Sequence, residues 1–587
     1  MFLKCRERHK DGKVHRTWSV VESRRYAGGK VAHRHVLYLG EVNDAQREAW
    51  QRTIEVVDER TGASQQLALF PSDRVLSPDR ADALQVRLSQ MRLCRPRQWG
   101  ACWLGDCLWR QLGLDEFFGP RLGASREGTD WEKVLRLVVL YRLISPGSEW
   151  RLHRHWFDST ALGDLLGIDA RSAQDDTLYR VHDRLLEHKE ELFAHLRGRW
   201  AELFDADYEV LLYDLTSTYF ECDVPGDPSD PRRFGYSRDR RSDCVQVIIA
   251  LVVTPDGLPL AYEMLPGNTA DKTTLRAMLA RVQARHGRAR RVWVMDRGIP
   301  TEEVLAEMRA CDPPVHYLVG TPKARLNRME EQLAGRPWAE VRGRLRVKSL
   351  TQDGETYIYT ENPERVHKER SMRRRALKKY CKRLGELAAL RRPQRDEVLI
   401  KLGQARQQAG KAAADLVHVE VAPDGCLTWR LDRPALRQTR RREGRYLLRT
   451  NLPGHDPATL WRYYIQLVGV EESFRNLKGD LGIRPVFHQR PDRIEAHLFT
   501  AFLAYCLHTT LRQHLRPVAG GLTPRSVLEK LATLQLLDVI IPTTDGRELL
   551  LTRHTEPSAD VGLLLDQLHL TLPSQPPPKI RTPPTFS

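Results

Sequence analysis

Residues 210–221 read Val-Leu-Leu-Tyr-Asp-Leu-Thr-Ser-Thr-Tyr-Phe-Glu, apolar at first and polar after Asp214. A β-branched and aromatic run of this kind predicts a buried strand that emerges toward its carboxyl end. A carboxylate in the middle of it is costly to bury unless an ion pair or a metal compensates it. Taken alone, Asp214 reads as a paired structural residue. Two later stretches change that reading.

A chain of 587 residues is long enough for several domains. Its hydrophobic content of 41% and charged content of 29% are ordinary for a soluble protein. The net charge of +17 is not, and it implies a polyanionic partner, nucleic acid before an acidic membrane surface. Apolar runs reach only strand length, which excludes a membrane-spanning helix. The start, Met-Phe-Leu-Lys-Cys-Arg-Glu-Arg, lacks the apolar segment of a secretory signal, so a cytoplasmic, nucleoid-associated protein is expected. The ten cysteines are scattered without a Cys-x-x-Cys, and they read as reduced thiols, with no zinc site and no disulfide framework.

Taken in order, residues 1–60 form a β-rich segment, with a hairpin signal at Ala27-Gly-Gly-Lys. Residues 80–205 show apolar spacings of three and four, including one long helix over Thr177–Phe204. Position and charge make this helical part the expected DNA-binding domain. Residues 206–321 return to strands at Val210, Val245–Thr254, Leu260–Leu265, Arg291–Asp296 and His316–Val319, with helices over Asp271–His286 and Thr301–Ala310. That is a mixed α/β order. Residues 322–445 form a basic insertion, in which Arg365–Arg383 holds ten Lys/Arg against the single acid Glu369. The α/β rhythm resumes over 446–515, a C-terminal region follows over 516–571, and a Pro-rich tail over 572–587 is expected to be disordered.

The helix expected over Pro457–Lys478 carries two faces. Leu467, Val470, Phe474, Leu477 and Leu481 make an apolar stripe, while Tyr464, Val468, Glu471, Arg475 and Lys478 line the neighbouring face. By itself, Glu471 with Arg475 is an ordinary stabilising pair. Together with Asp214 and Asp296, however, Glu471 completes a set of three carboxylates. Phosphodiester chemistry uses such a set to hold two Mg²⁺ ions about 4 Å apart with hard oxygen ligands. Glu472 lies about 100° round the helix from Glu471 and off the Tyr464–Lys478 line.

At these residues the chain resembles bacterial insertion-sequence transposases of the DDE class, which have a ribonuclease-H-like core. The signature Tyr-x2-Arg-x3-Glu-x6-Lys is matched by Tyr464, Glu471 and Lys478, with Leu467 standing where the pattern has Arg. That departure removes one phosphate contact, which Arg475 can replace. Tyr213-Asp-Leu-Thr-Ser-Thr-Tyr-Phe-Glu and Val294-Met-Asp-Arg-Gly resemble the first two Asp boxes, and Gly267-Asn-Thr-Ala-Asp-Lys-Thr-Thr-Leu also has a counterpart. The resemblance implies a ribonuclease-H-like mixed sheet with helices, interrupted by a β-rich insertion domain. It implies Asp214, Asp296 and Glu471 as catalytic metal ligands, with Asp214 bridging two Mg²⁺ ions for which Mn²⁺ substitutes. Tyr464, Arg475, Lys478 and Arg484 are the expected DNA contacts. Transposon ends and target DNA are the expected partners, and a homodimer is expected in the synaptic complex. His488 and His497 read as solvated or phosphate-contacting. The rival readings are a ribonuclease-H-like nuclease without strand transfer, and an inactive DNA-binding protein.

Overall fold

The structure, a computed structural model, describes residues 2–582 apart from 11–12, 26–30, 42–53, 59–63, 72–82, 124–127, 207, 238, 240, 270–275, 277–278, 281–290, 297–298, 322–331, 334–335, 343–344, 391–393, 485 and 487. Most of the helix expected over Asp271–His286 lies outside the described residues, as do Arg297 and Gly298.

The chain opens with an antiparallel sheet of β1 (Phe2–Lys10), β2 (Lys13–Arg25) and β3 (Val31–Glu41). Strands β4 (Ile54–Asp58), β5 (Ser64–Pro71), β6 (Ala83–Val86) and β7 (Arg92–Gln98) belong to a second sheet that the C-terminal region completes. Helices follow. The Trp131–Ile144 helix is buried at every residue but Lys133, because it packs against both the Gly100–Gln111 helix and the long Pro491–Val518 helix. Its buried Arg136 and Glu132 are satisfied together: Arg136 donates to Glu132 at 2.7 and 2.9 Å and to Asp106 of the Gly100–Gln111 helix at 2.8 Å. The single helix expected over Thr177–Phe204 is divided into Asp175–His182 and Lys189–Phe204. Asp183, at the break, pairs with Arg493 at 2.6 and 2.7 Å, so tertiary contact overrules local propensity there.

The central sheet contains β8 (Val210–Phe220), β9 (Val245–Val253), β10 (Pro259–Pro266), β11 (Val292–Met295) and β12 (His316–Gly320), in the order β10-β9-β8-β11-β12. β8, β11 and β12 are parallel, and β9 is antiparallel to β8. A first strand flanked by a reversed second strand and a parallel fourth strand is the ribonuclease-H-like arrangement. Every residue of β9 is buried, as the apolar run Val247–Val253 requires of a strand covered on both faces, and the buried Gln246 amide donates to the Tyr236 and Gly267 carbonyls. The Glu302–Ala310 helix between β11 and β12 starts where Thr301 accepts a hydrogen bond from the Val304 amide, with Glu302 and Glu303 in its first turn.

Beyond β12 the sheet continues. β13 (Ala339–Arg342), β14 (Leu345–Gln352) and β15 (Glu355–Glu361) pair in sequence, and β15 pairs with β18 (Arg445–Thr450), which also pairs with β12. The strands of the insertion are thus shared with the core sheet rather than set apart. The rest of it carries the basic Pro363–Ala388 helix, the Arg395–Ala409 helix and the hairpin of β16 (Val417–Val421) and β17 (Leu427–Leu431), around a small core that includes Tyr380, Leu384, Val398 and Leu402.

At the end of the chain β19 (Gln535–Pro542), β20 (Glu548–His554) and β21 (Lys579–Arg581) complete the second sheet. The tail expected to be disordered is therefore ordered as far as residue 582, with 583–587 outside the described residues. Proline lacks a donor but keeps its carbonyl: Pro573 accepts from His554 at 3.0 Å and Pro576 accepts from Arg553, which lays the tail along β20.

Candidate active site

β8 and β11 lie in parallel register with Met295 beside Tyr213. Asp214 and Asp296 are the residues that follow this last registered pair on the two strands' chains. Tyr213 and Leu215 are buried and Asp214, on the opposite face of the pleat, is half-buried. Its Oδ1 accepts from the Leu215 amide at 2.8 Å. Asp296 follows the last residue of β11 and is exposed. Its Oδ1 accepts from the Tyr464 hydroxyl at 3.4 Å, so the phenol and the second carboxylate do meet.

Glu471 projects from the Leu467–Lys478 helix, which packs against β8. Phe474, Leu477 and Leu481 of the expected apolar stripe are buried, while the Val470 side chain lies outside the described residues. Glu471 is exposed and makes no hydrogen bond or ion pair among the described residues. Glu472, by contrast, reaches Arg512 at 3.7 Å. The expected single helix over Pro457–Lys478 is interrupted: Pro457–Ile465 ends and Leu467–Lys478 begins at Gln466, whose amide turns back to the Tyr463 carbonyl at 3.3 Å. Tyr464 and Glu471 therefore sit on successive helices, because a tightened turn of this kind offsets the two axes.

The cations divide into two groups. Lys478 donates to both oxygens of Asp239 at 2.9 and 3.0 Å, and Arg484 reaches the same carboxylate at 3.2 Å. The Arg484 guanidinium also lies 4.9 Å from the centre of the Tyr219 ring, and Arg241 lies 4.7 Å from it. Arg475 is exposed and unpaired among the described residues.

Asp214, Asp296 and Glu471 do not close into a set with ligand atoms within 4.8 Å of one another. That spacing suits ligands of a single ion. Two ions about 4 Å apart, each bonded at about 2.1 Å, spread their outermost ligands to roughly 8 Å. The all-oxygen donor set and the exposure of Asp296 and Glu471 fit hard, hydrated cations such as Mg²⁺.

The closed set among the described residues lies elsewhere and was missed from the sequence: Glu149, His182 and His488, all buried. His488 and His497 are only 5% and 2% exposed, so neither is solvated as expected. Burial works to raise the Glu149 carboxyl, but the imidazoles of His182, His488 and His497 outweigh it and hold it well below the usual carboxylate range. In sequence Glu149 signals only a helix start, since the Ser148 side chain caps the Glu149–Arg151 turn.

The Transposase DDE domain family matches residues 220–507, a span that includes Asp296 and Glu471 and begins just past Asp214. The N-terminal domain of IS1634 family transposases matches residues 3–66. No curated protein sequence matches this one. Among solved structures, a piggyBac transposase synaptic complex with hairpin DNA aligns at 9% identity and a TM-score of 0.34, covering 76% of this chain and 82% of that one. A Mos1 transposase paired-end complex with the left transposon end aligns at 13% identity and a TM-score of 0.13, covering 30% and 56%. The two family matches, one at the start of the chain and one across the central sheet of ribonuclease-H-like order, show that the chain belongs to the DDE transposases of insertion sequences.

Proposed function

We propose that the chain binds the terminal inverted repeats of its insertion sequence, cleaves at the element ends and transfers the freed 3′ ends to target DNA. In this reading Asp214, Asp296 and Glu471 hold the metal. One observation carries the proposal: Asp296 follows β11 where that strand runs parallel beside Tyr213 of β8, next to Asp214, and the helix bearing Glu471 packs on β8. Two Mg²⁺ ions, or Mn²⁺ in their place, would activate the attacking water or 3′-hydroxyl and stabilise the departing oxygen.

The protein groups do the rest. The Tyr464 hydroxyl, donating to Asp296, orients that carboxylate. Arg475 stands on the exposed face of the Leu467–Lys478 helix, one turn past Glu471, where it can meet a backbone phosphate. Lys478 and Arg484 are held by Asp239 in the free protein, so DNA must exchange one anion for another there. The expected helical domain over 80–205 is helical only from Gly100 to Phe204, strands β6 and β7 preceding it; this helical part and the basic Pro363–Ala388 helix extend the phosphate-binding surface. Two ends must be cut together, so a homodimer is the working assembly, with DNA in the nucleoid as its location.

The test is cleavage and joining of a duplex carrying the element's terminal repeats. Asp214→Asn, Asp296→Asn and Glu471→Gln should each abolish both steps while DNA binding persists. Wild-type cleavage by any one of them removes that residue from the site. Cleavage of the repeats without joined products, from a pre-cut end, would leave a nuclease in place of a transposase.

A further inference from the structure

Four side chains surround a single carboxylate oxygen, Glu149 Oε1, in the interior. His182 Nε2 lies 3.5 Å away, His488 Nε2 3.6 Å, Arg142 Nη2 3.8 Å and His497 Nδ1 3.9 Å. All five residues are at least 95% buried. Glu149 Oε1, both ring nitrogens of His182 and Nε2 of His488 have no hydrogen-bond partner among the described residues. Had the fold arranged these groups as hydrogen bonds to an ionised carboxylate, they would close to about 2.7–2.9 Å. Tetrahedral ligands bonded at about 2.0–2.1 Å to one ion stand roughly 3.3–3.4 Å from each other. The separations found here lie near that edge length.

From this geometry we propose that Glu149, His182 and His488 form a buried site for a first-row divalent transition metal of the zinc class. The donor set of two imidazoles and a carboxylate suits zinc and excludes Mg²⁺ as the preferred occupant. His497 faces the same oxygen and is next in line for the fourth position. Its Nε2 lies 3.3 Å from the Ile483 carbonyl, which leaves Nδ1 turned inward. Arg142 is the rival neutralising group. It is drawn off in part by the Gly482 carbonyl, to which its Nη1 donates at 2.8 Å, and by His497 Nδ1, 3.5 Å from its Nη2.

The site is assembled from distant parts of the chain. Glu149 opens a short helix, His182 closes the Asp175–His182 helix, and His488 lies on the link between the Glu471 helix and the Pro491–Val518 helix. A bound ion would pin that link to the helical N-terminal half. The proposal is independent of the role given to Asp214, Asp296 and Glu471.

The test uses the full chain with those three carboxylates replaced by alanine, produced in zinc-replete medium and purified without a metal resin. Elemental analysis should find zinc in stoichiometric amount, and adding Glu149→Gln with His182→Gln should lower it by at least about tenfold. Zinc content unchanged by that pair, or a parent protein without stoichiometric transition metal, overturns the proposal and leaves Arg142 alone as the counter-charge. If the double variant does not fold, X-ray absorption on the parent decides. Imidazole scattering with nitrogen and oxygen at about 2.0–2.1 Å supports the site, and zinc without imidazole ligands refutes it.

Discussion

Asp214 lies within β8 and Asp296 follows the last residue of β11, and Asp296 and Glu471 face solvent. Glu149 stands in the interior, within 4 Å of three histidines and an arginine. The first group is open to solvent at Asp296 and Glu471; the second is enclosed and tied to the packing around it. An open set of carboxylates can admit hydrated ions and a bulky polyanion. An enclosed one can serve only structure or a small captive ion. The same residue chemistry therefore serves different ends according to what its surroundings let in.

Substitution should separate the two most sharply. Asp296→Asn should lower cleavage of a terminal-repeat duplex by roughly 10³-fold, with unfolding free energy changed by no more than about 0.5 kcal/mol. A stability loss as large as that of a core variant would erase the contrast. Glu149→Ala should cost about 3 kcal/mol or more in denaturant unfolding, because it strands Arg142 without its nearest carboxylate. An unchanged midpoint would mean that the interior cluster is not structural.

Acid should act on the interior first. Burial, with Arg512 beside it, pushes His508 down from 6.5 to about 4. The unfolded chain then binds the proton over a range where the native chain does not. Stability is therefore full above about pH 6.5 and falls as the pH drops toward 4, by up to about 3 kcal/mol for this one group. Burial lowers His182 and His497 in the same direction. Thermal midpoints that stay flat from pH 7 to pH 4 would contradict this. A smaller effect, on DNA rather than on the fold, is expected of Lys478→Ala. It should reduce the salt slope of binding by about 1 and leave Tm nearly unchanged, because a partly exposed pair with Asp239 contributes little.

The strands of the core were legible because a covered sheet demands long apolar runs, and β9 is such a run from Val247 to Val253. Asp214 drew notice for the same reason, as a lone carboxylate amid Leu211, Leu212 and Leu215. The break at Gln466 was not legible, because the apolar spacing runs on across it and only backbone geometry reveals the turn. Nor was the Glu149 cluster, whose members come from three remote stretches and show no periodicity. His497 in particular lies in a helix so thoroughly buried that no polar face marks it out. The ordering of the tail depended on the open edge of β20, a partner that its own Pro-rich composition cannot announce.

β18 carries a further consequence. Its Thr450 is flanked by Leu318 of β12 on one side and by Thr356 of β15 on the other, so a single late strand seams the insertion to the catalytic sheet. Excising residues 322–444 to make a minimal enzyme would unzip one margin of β18. Arg449, paired at 2.6 Å with Glu355, would forfeit that partner. Such a truncation would leave a raw sheet border prone to self-association.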